Sequence, residues 1–232
     1  MAEWLSGWKL WHEREDGPDE QLRIFMTRNG ASEEETGGIV GALRKSKYQG
    51  LRPPREFIRI RDGDAIAMGQ RDWRVMTTGG HSPEHASFFC EKDQLLISGD
   101  QILSHMIPSV IVPPAQPDAN PMQEYLDSLT RFETLPADTL VLPSHGLPFR
   151  NLHTRLRQQR AHHEERLAEV MAACTQAPCS AADILPVMFR RALDAHQSTF
   201  AMGEALGHLH ALWYAGRLQR QVGADGVVRF AA

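Results

Sequence analysis

The sequence predicts an α/β domain followed by a mainly helical module, and three observations lead there. Short apolar runs separated by turn residues, between positions 57 and 99 and again at Leu140-Val141-Leu142, read as strands of a sheet. Amphipathic helical stretches lie before and among those runs. From Asn151 the composition shifts to long polar helix, which divides the chain into residues 1–150 and 151–232.

The first helix is read from Trp4, Leu5, Trp8 and Trp11, which form one aromatic face and end near Gly17-Pro18. That face is expected to pack on a core. A second helix spans 21–28 and is stopped by Asn29-Gly30, a C-terminal capping pair. Ser32-Glu33-Glu34-Glu35 then forms a capping box for a third helix running towards Lys47. Strands are expected at Phe57-Ile58-Arg59-Ile60, at 65–68 and at 72–78, with a turn at Asp62-Gly63-Asp64. Residues 86–90 and 95–99 supply two more. The Ile-, Val- and Pro-rich segment 106–117 is expected to be a loop over a site. Pro121 starts a helix through Phe132 that buries Leu126, Leu129 and Phe132. A strand then runs to His145. Beyond Asn151 come a polar helix over 153–173, a helix capped by Ser180, a helix opened by Ser198 and a terminal hairpin turning at Ala224-Asp225-Gly226.

At 232 residues the chain can bury a sizeable core, and 42% apolar with 23% charged residues is an ordinary globular composition. A formal charge of −4 argues against a dedicated nucleic-acid binder, because phosphate recognition shows as a basic excess. Cys90, Cys174 and Cys179 are odd in number and lack zinc-type CxxC spacing, which fits a reduced, cytoplasmic setting. No secretory core and no apolar run of bilayer length is present. The immediate opening into amphipathic helix fits a chain that begins in mid-domain.

The stretch Thr77-Thr78-Gly79-Gly80-His81-Ser82-Pro83-Glu84-His85 joins two strands by a glycine turn carrying a histidine. Asp100 follows the run Leu95-Leu96-Ile97-Ser98-Gly99, and His145 follows Leu140-Val141-Leu142-Pro143-Ser144. Two histidines and an aspartate, each at a strand tip, are the donor set of a hydrolytic zinc site. His85 is read as a residue supporting His81 and not as a ligand. His105 lies close after Asp100, within reach of the site, and is read as a surface or packing residue ahead of a site residue. His208-Leu209-His210 and His162-His163 cannot chelate one ion, because helical residues one or two apart do not share a face. Ser98 and Ser144 have no His-Asp partner pattern, which excludes a serine nucleophile.

At these residues the chain resembles the metallo-β-lactamase superfamily. His81 matches the metal ligand of that family's GHSPGH-type loop, Asp100 the metal-bridging aspartate of its SGD motif, and His145 its late SHG histidine. The family's first motif, HxHxDH, is absent, so the resemblance covers roughly residues 1–150 as the later part of the domain. It implies a partial αββα sandwich whose N-terminal portion is missing, with three leading helices of the kind that border a substrate cleft. The C-terminal module resembles the winged helix that some β-lactamase-like proteins carry. Its presumed recognition helix, over 200–214, holds no Lys or Arg, and Leu206, Leu209, Leu212 and Trp213 read as core or interface.

What the resemblance implies is a zinc-dependent hydrolase with two ions, or other divalent metals, held by His81, Asp100 and His145. Asp100 is the shared catalytic residue, and the substrate is a small molecule with an ester, thioester or related bond. Two alternatives stand beside it: a non-catalytic remnant acting through protein association, and a metal-dependent ribonuclease. A homo-oligomer is expected; nucleic-acid and membrane partners are not. With its three ligands divided between two ions, the chain alone is expected to bind zinc weakly and to turn over little. It is also expected to leave apolar faces around Phe88 and Leu96 partly uncovered.

Overall fold

The computed structural model describes residues 17–44 and 56–232. The helix read around Trp4, Leu5, Trp8 and Trp11 lies outside those residues, as does the run towards Lys47. Two helices open the described chain, α1 (Gly17–Arg28) and α2 (Glu33–Arg44). Gly30 follows α1 with φ of 96°, the left-handed stop expected there. The capping box of α2 forms as read: the Ser32 N–H donates to Glu35 Oε2 at 2.8 Å, and the Glu35 N–H returns to Ser32 Oγ at 3.2 Å.

Five strands follow: β1 (Ala65–Met68), β2 (Arg71–Thr78), β3 (His85–Cys90), β4 (Leu95–Gly99) and, after helix α3 (Pro121–Phe132), β5 (Leu140–Pro143). They form one sheet in chain order, antiparallel except for the parallel β4–β5 pair. The parallel pair needs a crossover, and α3 lies within it. The strand expected at Phe57-Ile58-Arg59-Ile60 does not form. Those residues pair with no described strand, and Phe57 and Ile58 are exposed, so alternation alone had no partner to act on.

The remaining elements are α4 (Leu152–Gln176), α5 (Ala181–Met188), α6 (Ala195–Tyr214), β6 (Gln219–Val222) and β7 (Val228–Ala231). Ser180 caps α5 through a capping box. Asp194 caps α6 in the same way with Gln197, so the helix opens earlier than Ser198. The order helix, helix, helix, hairpin is present. None of the described helices is long and apolar enough to cross a membrane. Cys90, Cys174 and Cys179 are all free thiols.

Contacts sort the chain into two compact units, and not at residue 150, where the composition changes. Of the described residues, one unit comprises 56–110 and 121–164; the other comprises 17–44, 111–120 and 165–232. In the sheet-bearing unit the pleat separates two faces. Phe89, Leu96 and Val141 are in register across one face and are buried. Phe88, Ile97 and Leu142 are in register across the other and are only half-buried. Phe88 is thus partly uncovered as expected, but Leu96 is not: neighbouring positions in paired strands point to opposite faces. Helix α3 buries Met122, Tyr125, Ser128, Leu129 and Phe132, with Tyr125 taking the place expected of Leu126.

In the second unit α1 and α2 share one core with the C-terminal helices and hairpin. Leu22, Met26 and Ile39 join Val170, Ile184, Leu206, Leu209, Leu212 and Phe230. The Leu206, Leu209 and Leu212 face is therefore interior within this chain. Residues 111–120 also belong here: the Val112 N–H donates to Gly203 O at 3.0 Å, and Asp118 pairs with Arg220 at 2.6 Å.

Candidate functional site

The ends of β2, β4 and β5 carry His81, Asp100 and His145 within the sheet-bearing unit. β2 and β4 flank β3, and β5 lies beside β4, so the chain-distant motifs emerge on neighbouring strands. The turn after β2 is anchored from α3. Arg131 donates to Thr77 O at 2.7 Å and to Asp62 Oδ1 at 2.5 Å, and Asp62 accepts the Thr77 N–H at 2.9 Å. Gly80 passes so close to the backbone of Tyr125 that a Cβ there would overlap it. Gly80 adopts φ of 106°, which a side chain would also oppose.

The three predicted residues meet at Asp100. Its Oδ2 lies 3.5 Å from His81 Nε2, and its Oδ1 lies 3.5 Å from His145 Nε2. Ser144 donates its hydroxyl to Oδ1. His81 Nδ1 is 2.8 Å from the Ser109 carbonyl. A carbonyl only accepts, so Nδ1 carries a proton there, and Nε2 is the nitrogen that faces Asp100. Segment 106–117 thus reaches the site at Ser109, while its later part belongs to the other unit.

Electrostatics follow from these contacts. Partial burial pushes the Asp100 carboxyl up, but the Ser144 hydroxyl and the imidazoles of His81, His145 and His85 outweigh it. The net effect holds Asp100 below the ordinary carboxylate range. His85 is pushed down to about 4, by burial first and by His81 second, so it stays neutral. Its ring stands edge-on to that of His81 at 6.3 Å, and its Nδ1 has no hydrogen-bond partner. The ring's other nitrogen faces Gly99. His105 Nδ1 lies 2.9 Å from Ser104 Oγ, beside the turn at Gly146.

A metal fits these donors in pairs. A ring nitrogen and a carboxylate oxygen facing each other at 3.5 Å leave room for a shared cation or proton between them. A tetrahedral ion with bonds of about 2.0–2.1 Å separates its ligands by roughly 3.4 Å. Among the described residues, however, no group of three or more His, Cys, Asp or Glu side chains is gathered as a metal site. Asp100 is shared by two histidine pairs, and neither pair reaches the three protein ligands of a catalytic zinc.

The histidines set aside in the sequence lie elsewhere. His208 Nδ1 is 2.8 Å from Glu204 O in its own helix, whereas His210 Nδ1 is 2.8 Å from Ala119 O; both are buried. His163 packs edge-on against Tyr125 at 5.2 Å. Sequence reasoning did not find the Ser109 carbonyl, which as a backbone group has no residue signature. It considered Ser144 only as a nucleophile, although its place directly before His145 puts it beside the aspartate.

Comparison with known proteins gives two family matches. Residues 7–145 match the metallo-beta-lactamase superfamily, and residues 167–232 match the metallo-beta-lactamase-like C-terminal domain. A crystal structure of a beta-lactamase domain protein from Burkholderia ambifaria is 48% identical with a TM-score of 0.76, covering 89% of this chain and 58% of that one. A metallo-beta-lactamase family protein from Thermus thermophilus is 28% identical with a TM-score of 0.77, covering 96% of this chain and 67% of that one. The probable metallo-hydrolase YqjP of Bacillus subtilis is 28% identical over 156 residues, 66% of this chain and 48% of the relative. The atrochrysone carboxyl ACP thioesterase of Aspergillus fumigatus is 25% identical over 114 residues, 49% of this chain and 33% of the relative. The chain spans less than half the length of these two curated relatives.

Proposed function

The chain belongs to the metallo-β-lactamase superfamily, and from that premise we propose that it is part of a metal-dependent hydrolase cleaving an ester, thioester or related bond. His81, Asp100 and His145 are its metal ligands in this reading, with zinc as the expected ion. The observation that carries it is Asp100 turning one carboxylate oxygen towards each histidine at 3.5 Å. Relatives named as a metallo-hydrolase and an ACP thioesterase support the hydrolytic class and favour a thioester among its substrates.

A divalent metal bound there supplies Lewis acidity and acidifies water to a pKa of about 7. The chain's own groups prepare the donors. The Ser109 carbonyl fixes the His81 tautomer, and Ser144 orients Asp100 through Oδ1. Neutral His85 fills the space beside Gly99 without adding a positive charge near the ligands.

The test measures bound zinc in the dialysed chain and in His81→Ala, Asp100→Ala and His208→Gln, with an acyl thioester and an RNA substrate assayed in parallel. Zinc should fall at least about tenfold in the first two variants and hold in the third, whose histidine is buried in its own helix and bonds there to Glu204. Equal loss in all three would sink the ligand assignment. Cleavage of RNA in preference to the thioester would move the reading to a nuclease.

A further inference from the structure

Gln101 is fully buried directly after Asp100. Its Nε2 donates to the carbonyl of Gly79 at 2.8 Å, just before the His81 turn. Ser128 Oγ accepts the Gly79 N–H at 3.2 Å, and its one proton is shared between Glu124 O at 2.7 Å and the same Gly79 carbonyl at 3.0 Å. The backbone carbonyl of Gln101 accepts from Tyr125 at 3.3 Å, and its N–H closes the Asp100 turn onto Ser98 O at 3.2 Å. One side chain therefore spans from the Asp100 turn to the His81 turn, and α3 braces both ends.

The amide is an expensive choice for packing alone. Its Oε1 is buried with no hydrogen-bond partner, an orphan that an apolar side chain of the same length would not create. Only its N–H is used, and that N–H is aimed at the other turn. We propose that Gln101 is a positioning residue that holds the His81 turn in register with Asp100, without touching the metal itself. The proposal rests on the ligand assignment above for its consequence, tighter metal retention, whereas the tie itself is a contact between two turns of the chain.

The test uses the full chain carrying Gln101→Met, which conserves length and removes the donor, and Gln101→Glu, which keeps polarity and removes it. Three quantities are read: zinc affinity by competition with a chromogenic chelator, the metal-free melting midpoint, and metal-free amide hydrogen exchange. The expected result for Gln101→Met is zinc affinity weakened by about tenfold or more. Exchange should be faster at Gly79 to His81, with exchange across β3 and the midpoint held. Unchanged exchange at the turn overturns the proposal, and so does a midpoint that falls in step with affinity, since that marks a residue needed only for folding. If Gln101→Met does not fold, the same comparison is made with Gln101→Glu. Should the unaltered chain and His81→Ala bind zinc equally, the ligand assignment fails by itself, and the exchange data still decide for or against the tie.

Discussion

An L-residue at a left-handed backbone angle places its Cβ against the following carbonyl, and at Gly99 it would also strike the ring of His85. Gly99 has φ of 55°, and an added Cβ would stand 2.6 Å from His85 Nε2. The SGD turn thus needs glycine twice, for its angle and for the histidine beside it. Gly99→Ala should lower unfolding stability by roughly 1–3 kcal/mol. Gly63→Ala provides the comparison: it carries φ of 80° with nothing within 4 Å, so only the backbone penalty applies. Urea midpoints of the two variants separate the terms, and a Gly99 variant no worse than the Gly63 one would remove His85 from the account. At this scale the three residues that meet at Asp100 were legible because each stands in a short motif at a strand tip. The groups that hold them in place were not. Ser109 acts through its carbonyl and Gln101 through a contact 22 positions back in the chain.

Helix α6 shows how an element can read correctly and still carry an unread charge. Its apolar residues Leu206, Leu209 and Leu212 recur at helical spacing and are interior, the core alternative of the sequence reading. Between them and the N-terminal cap lies Glu204, whose carboxyl is raised to about 7 by burial, with Arg166 opposing the rise. A single sequence cannot show this, because a lone glutamate on a mostly apolar helix has the same letters whether it faces water or core. The sign is definite. The folded chain holds the proton more tightly than the unfolded chain, so the contribution is fully present below pH 4.5 and is lost as pH rises through about 7. The span corresponds to about 3.5 kcal/mol at most, using ~1.4 kcal/mol per pH unit. Glu204→Gln should therefore flatten stability between about pH 5 and 8 and exceed the unaltered chain at the upper end. Chemical denaturation at the two pH values checks it, and a parallel pH dependence in both proteins would place the titration elsewhere.

For the whole molecule, composition and contacts draw different lines. The sequence breaks at Asn151 because polar helix begins there, whereas residues 165–232 complete their core with α1, α2 and residues 111–120. Hydrophobic periodicity reports that a helix has an apolar face but not which distant face covers it, so an N-terminal pair of helices could not be assigned to a C-terminal core. The strands were readable where turns are short, from β1 to β4, and the reading failed at Phe57-Ile58, which finds no described partner. The donors all fall in one unit, 56–110 with 121–164. Metal bound by the folded state alone stabilises the unit that carries the ligands by mass action, about 2.7 kcal/mol when free zinc is roughly a hundredfold above its Kd. For a chain of this size that is roughly a 5–10 °C rise in melting midpoint. Because divided ligands bind weakly, the zinc needed should be well above that of a three-ligand site. The expected observation is a zinc-dependent rise of that order relative to EDTA, accompanied by slower hydrogen exchange across β3 and β4. His81→Ala should abolish both effects together. A midpoint indifferent to zinc at every concentration would mean that the paired donors at Asp100 do not hold metal in this chain, and the 3.5 Å separations would then be read as hydrogen-bonded imidazolium contacts.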